Sequence, residues 1–86
     1  MERQRLDKWL WHARIVRTRT AAAALIEAGH VRVNGSHAGG ASHMVRIGDV
    51  LTVALDRAVR VLRVAGFAER RGDAAAARGL FDVIAP

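Results

Sequence analysis

Residues 18–35 change their periodicity once, and that change restricts the fold. Ala22, Leu25 and Ile26 recur at helical spacing, and residues 21–24 are an alanine run of high helix propensity and slim profile. Gly29 then interrupts; glycine readily takes the left-handed conformation that stops a helix. Val31-Arg32-Val33 alternates with a period of two, and Asn34-Gly35, the strongest short-range hairpin signal in the chain, follows at once. The stretch therefore reads as a helix, a glycine stop, a strand and a tight turn.

The flanking residues extend this pattern. Leu6, Trp9, Leu10 and Ala13 sit at i, i+3, i+4 and i+7, one face of a short helix expected to end near Ile15 or Val16. Arg5, Lys8 and His12 share a neighbouring face, with Trp11 and Arg14 away from both. Trp9 reads as a core residue; Trp11 covers the C-terminal helix or stacks on a base. Thr18 is the natural N-cap of the second helix, with Thr20 the other candidate. Beyond the hairpin, residues 36–42 are a glycine-rich loop with a brief return strand, and Met44-Val45-Arg46-Ile47 leads into a turn at Gly48-Asp49. Leu51, Val53 and Leu55 mark one face of a strand, Asp56-Arg57-Ala58 a turn, and residues 59–64 a further strand.

The expected fold class is α+β, a small antiparallel sheet packed on two N-terminal helices. Composition shifts after Gly66. Glu69-Arg70-Arg71-Gly72 reads as a polar connector, and Asp73 as the cap of a short last helix carrying Ala77, Leu80, Phe81 and Ile84 on one face. Gly79 weakens that helix by about 1 kcal/mol relative to alanine. The organisation expected is a domain over residues 1–65 and a C-terminal extension over residues 66–86.

With 86 residues the chain makes one small domain, burying roughly 60–65% of its surface. The absence of cysteine excludes disulfides and thiolate zinc sites and suits a reducing, cytoplasmic setting. No apolar run approaches the ~20 residues of a membrane span, and Glu2 and Arg3 stand where a signal peptide would turn apolar. The chain is expected to be a monomer. Its formal net charge is +6 and its sequence pI about 11.7, which favours a polyanionic partner. All basic residues but Lys8 are arginine, whose planar guanidinium meets phosphate in bidentate fashion. A GC-rich genome accounts for most of that preference over lysine, but not for the net charge.

Nothing in the sequence assembles a catalytic, metal or cofactor site. His12, His30, His37 and His43 lack ligand spacing and read as surface polar residues, the carboxylates are scattered, and Gly39-Gly40 is followed by no GK[ST]. Asp7 reads as a structural residue complementing a helix dipole. Binding has better support. Arg17, Thr18 and Arg19 stand at the start of the second helix, where free amides and partial positive charge welcome an anion. Arg5, Lys8 and His12 add cations from the first helix, Arg14 from its end, and His30 and His37 lie near the same region. Such a patch follows a nucleic-acid backbone; phosphate contacts alone leave DNA open beside RNA.

A family resemblance extends this reading. Arg5-Leu6-Asp7, then Thr18-Arg19-x-x-Ala22-x-x-Leu25-Ile26-x-x-Gly29-x-Val31-x-Val33-Asn34-Gly35, and later Gly48-Asp49, resemble the RNA-binding domain first named from small-subunit ribosomal protein S-four. Residues 5–14 and 69–81 are in turn similar to the bacterial heat shock protein 15 family, whose longer members continue into a basic tail. The resemblance implies an αL-type RNA-binding motif with its core at about residues 5–55, and a partner in ribosomal RNA or tRNA on the large ribosomal subunit. Recycling of stalled subunits under stress is the role it suggests. By position it implies RNA contacts at Arg5, Lys8, Arg14, Arg17, Thr18, Arg19, His30 and Arg32, thinned by Ala23, where many members carry a basic or polar residue. Two other readings stand beside it: an in-trans targeting module for an RNA-modifying enzyme such as a pseudouridine synthase, and a basic protein-interaction module.

Overall fold

The computed structural model describes residues 2–85. Among them the order is β1 (Arg3–Arg5), α1 (Leu6–His12), α2 (Arg19–Glu27), β2 (Val31–Val33), β3 (Ser36–His37), β4 (Met44–Arg46), β5 (Val50–Ala54), β6 (Val59–Val64), α3 (Ala74–Arg78) and β7 (Phe81–Ala85). The strands form an antiparallel five-stranded sheet, β3-β2-β5-β6-β7, and a separate two-stranded ribbon of β1 and β4. This is the expected α+β architecture of helices on antiparallel sheet, with a short C-terminal helix.

Apolar alternation decides which face of the sheet is covered. Val31 and Val33, Leu51 and Val53, and Leu62 and Val64 are buried against Leu6, Trp9 and Leu10 of α1 and Ala22 and Ile26 of α2. Trp9 fills the centre. Its ring is fully buried, stands edge-on to Phe81 with centroids 6.3 Å apart, and donates its indole N–H to the Gly66 carbonyl at 3.0 Å. The local signals in residues 18–35 hold. Thr18 accepts from the Ala21 amide at 2.9 Å, Gly29 takes φ +82° after α2, and Asn34 and Gly35 take φ of +51° and +85°, a type I′ turn.

Two boundaries differ from the sequence expectation. The first helix stops at His12 rather than near Ile15, because Arg14 adopts φ +58°. The Arg14 amide reaches back to the Trp11 carbonyl and the Ile15 amide to that of Leu10, both at 3.1 Å, the pattern of a Schellman stop without its usual glycine. The C-terminal helix spans only Ala74–Arg78, and Phe81–Ala85 is a strand on β6 rather than a helical stripe ending at Ile84. Phe81 and Val83 also fit a period of two, and the open edge of β6 supplies backbone partners that a continued helix would leave unused. Strand β1, without apolar alternation, had no sequence signal.

Trp9→Phe should therefore lower stability by about 1–3 kcal/mol, since the partly buried Gly66 carbonyl loses its donor. Trp11→Phe, at a half-exposed position, should stay within about 0.5 kcal/mol. Urea midpoints at unchanged m-value check both.

Candidate nucleic-acid interface

The joint between the two helices is built on one carboxylate. Asp7 lies in the first turn of α1 with its side chain only 5% exposed. Arg5 grips it in two places, Nε to Oδ1 at 3.1 Å and Nη2 to Oδ2 at 3.0 Å. The Nε of Arg19, the first residue of α2, reaches Oδ2 at 3.4 Å, and the Lys8 amide donates to Oδ1 at 2.7 Å. Burial pushes the Asp7 carboxyl up, but the hydrogen bonds from Arg5 and the Lys8 amide and the charge of Arg19 outweigh it, leaving the group below its ordinary 3.8. The Arg5 and Arg19 side chains remain 46% and 43% exposed: Asp7 holds the Nε–Nη2 edge of Arg5 and the Nε of Arg19, and leaves Nη1 of Arg5 and both terminal nitrogens of Arg19 outside these bonds.

The two helix N-termini are not equivalent. At α1 the Leu6 amide donates to the His43 carbonyl at 2.8 Å and the Asp7 amide to that of Ala41 at 3.2 Å. That end is closed by the loop after β3. At α2 the Thr18 hydroxyl takes the Ala21 amide, and the amides of the exposed residues Arg19 and Thr20 have no partner among the described residues. The free donors of the joint thus belong to α2, beside Arg19 and the exposed Arg17, which takes no ion pair among the described residues.

Arg5, Lys8, Arg17, Thr18 and Arg19 all lie on β1–α1 or at the start of α2 around this joint. Arg14 lies at the other end of α1, where its Nε donates to the Gly72 carbonyl at 2.9 Å. Arg32 points to the sheet face opposite the helices, with Nη1 3.4 Å from the Gly35 carbonyl, and exposed His30 sits at the entry to the same strand. The eight positions therefore split into a cluster at the joint and outlying residues. Asp7 as the anchor of both arginines was not read from the sequence; its distance of 12 residues from Arg19 gives no local cue.

His12 is a correction. It was expected to be a surface residue adding a cation, but it is 1% exposed, with neither ring nitrogen in hydrogen-bond geometry. Burial and the nearby charges of Lys8, Arg19 and Arg71 lower its pKa below 6.5, against a pull upward from the Ala68 backbone. The ring is a packed neutral group. Its neighbour Trp11 carries the Arg71 guanidinium 5.9 Å from its ring centroid, and Arg71 Nε donates to the Trp11 carbonyl at 3.0 Å, so packing on the connector accounts for Trp11.

A helix–hairpin core with a cationic joint beside the second helix is the arrangement of one class of small domains: the chain belongs to the S4 domain family, whose model matches residues 4–51. Within it the chain is homologous to heat shock protein 15. It is 37% identical to heat shock protein 15 of Escherichia coli K12 over 78 residues, 91% of this chain and 58% of that protein. The trimeric structure of Vibrio cholerae heat shock protein 15 superposes with a TM-score of 0.90 at 34% identity, covering 98% of this chain and 84% of that one. Small ribosomal subunit protein uS4 of Rhodopseudomonas palustris is 39% identical over 69 residues, 78% of this chain and 34% of that protein. The chain thus spans 58% of the Escherichia coli heat shock protein 15 sequence.

The two buried titratable groups set the acid limb of stability. Unfolded His12 takes a proton near pH 6.5 while the folded ring resists it, so stability is full above that value and falls as pH drops through it. Asp7 adds a second loss below 3.8, where the unfolded carboxylate protonates before the folded one. His12→Phe should flatten the decline that begins below pH 6.5 in urea midpoints, whereas Asp7→Asn should leave that limb and lower stability at pH 7 by about 1–3 kcal/mol.

Proposed function

We propose that this protein binds structured RNA through the joint between α1 and α2, with the large ribosomal subunit as its natural target. The observation that carries the reading is the Asp7-held pair of arginines beside the open amides at the start of α2, in an S4 domain. A phosphate at this end would meet backbone donors and the outer nitrogens of Arg19, with Arg17, Arg5 and Lys8 along its path. Arg14, His30 and Arg32 extend the contact at its margins. The reading is one of binding by a single chain, without a catalytic step. Residues 1–65 carry recognition and residues 66–86 brace it.

Exposed aromatic rings are scarce at the joint, so shape and backbone readout suit the surface better than base stacking. Likeness to heat shock protein 15 favours a role in recycling stalled large subunits over the targeting of a modifying enzyme or a protein-interaction role. RNA and a ribosomal setting fit the cytoplasm.

The affinity for a structured ribosomal RNA fragment should fall steeply with salt. Arg19→Ala should reduce the slope of log K against log salt by about 0.7–0.9, the share of one phosphate. Arg57→Ala, in the β5–β6 turn, should leave it unchanged. A flat response in the wild type would sink the RNA reading. Sedimentation with separated ribosomal subunits should bring the protein down with the large one; binding to neither would remove the ribosomal role while leaving RNA binding intact.

A further inference from the structure

The β1–β4 ribbon carries a charge arrangement that folding alone does not favour. In its register Arg3 faces Arg46 directly and Arg5 faces Met44, while Gln4 and Val45 point inward. Like charges directly opposite on neighbouring strands repel, yet both Arg3 and Arg46 are exposed, and among the described residues neither takes an ion pair. Charge on each strand keeps other strands off this short ribbon, but that does not require the two cations to stand face to face. The pair is also contiguous with the helix joint. Arg5 is two residues from Arg3 on the same strand face, and it shares the Asp7 carboxylate with Arg19. Four guanidinium groups thus lie in connected sequence, from the start of α2 through Asp7 to the ribbon.

We propose that Arg3 and Arg46 form a second phosphate-contacting strip, so that a nucleic-acid backbone runs from the N-terminus of α2 across the face of the β1–β4 ribbon. This rests on the RNA reading above and lengthens its footprint beyond the helices. The strip was hidden in the sequence, where Arg3 and Arg46 lie 43 positions apart and only the pairing of β1 with β4 brings them together. A bound phosphodiester between them turns a repulsive pair into a bridged one, so the arrangement is favourable only in the complex.

The test compares salt titrations on one ribosomal RNA stem-loop. Arg3→Gln/Arg46→Gln should weaken binding and reduce the slope of log K against log salt by about 1.4–1.8, as expected for two lost phosphates. Arg57→Gln/Arg78→Gln, which removes the same charge from the β5–β6 turn and from α3, should leave the slope close to wild type. Arg46→Glu should raise the thermal midpoint, by placing an opposite charge across from Arg3, while weakening RNA binding; a purely structural role would move both in the same direction. An unchanged slope for the ribbon double variant while Arg19→Ala still loses its phosphate would overturn the strip and leave the helix site standing. Equal losses from both double variants would overturn it as diffuse attraction. A flat slope in the wild type would remove both readings together.

Discussion

The Asp7 carboxylate is the constraint on which the functional end of the molecule depends. It is almost wholly buried, which for an unpaired charge would be costly, and it is stable there only because Arg5, Arg19 and the Lys8 amide surround it. The dependence runs in both directions. Without Asp7 the two arginines would be long, mobile cations repelling each other; with it, each has one edge anchored and one edge presented. An exposed surface pair contributes little to stability because both side chains must be ordered. Here one ordered acid serves two arginines from different elements, so the same contact docks α2 against β1–α1 and sets the spacing of the cations. Stability and pre-organisation for an anion come from one interaction.

The closure of one helix N-terminus and the opening of the other is the second consequence of this joint. The loop after β3 supplies carbonyls to the first amides of α1, and it is itself held by Glu27, which accepts from the Ala41 amide at 3.2 Å. Glu27 is the last residue of α2. The far end of α2 thus fixes the loop that closes α1, while its near end stays free. A negatively charged ligand then meets one set of free donors rather than two competing ones.

The legible parts of this fold were those set by local chemistry. Thr18, Gly29 and Asn34-Gly35 each act within a few residues through a cap, a positive φ or a two-residue turn, and each stands where the sequence places it. The apolar faces of α1, β2 and β5 were legible for the same reason. What escaped were features depending on a distant partner. Arg14 takes a conformation normally left to glycine, and its side chain bonds to Gly72, 58 residues away. Strand β1 has no apolar pattern because its one inward residue is Gln4, which donates to the Ala68 carbonyl at 2.8 Å. His12 looked like a cation because helical position alone does not reveal what covers a face. The arginines of the candidate site were visible singly, but their grouping around Asp7 was not.

Those distant contacts share a cause, and it bears on the role of the C-terminal segment. Gln4, Trp9 and Arg14 each donate to a backbone carbonyl within residues 66–72, and Arg71 returns a bond to the Trp11 carbonyl. The connector that looked like a polar linker is therefore a strap laid along β1 and α1. It is pinned at one end by the Schellman stop of α1 and at the other by β7, whose Phe81 packs on Trp9. A seven-residue helix has little stability of its own. Its axis is set by what packs against it, here α2 and the sheet beneath and the strap alongside. Since α1 carries Asp7, the position of the cationic joint follows from the strap even though the strap lies away from it. Loss of the Gln4 and Trp9 bonds would loosen the arginines without touching any of them, which ties the extension to the proposed recognition surface through rigidity.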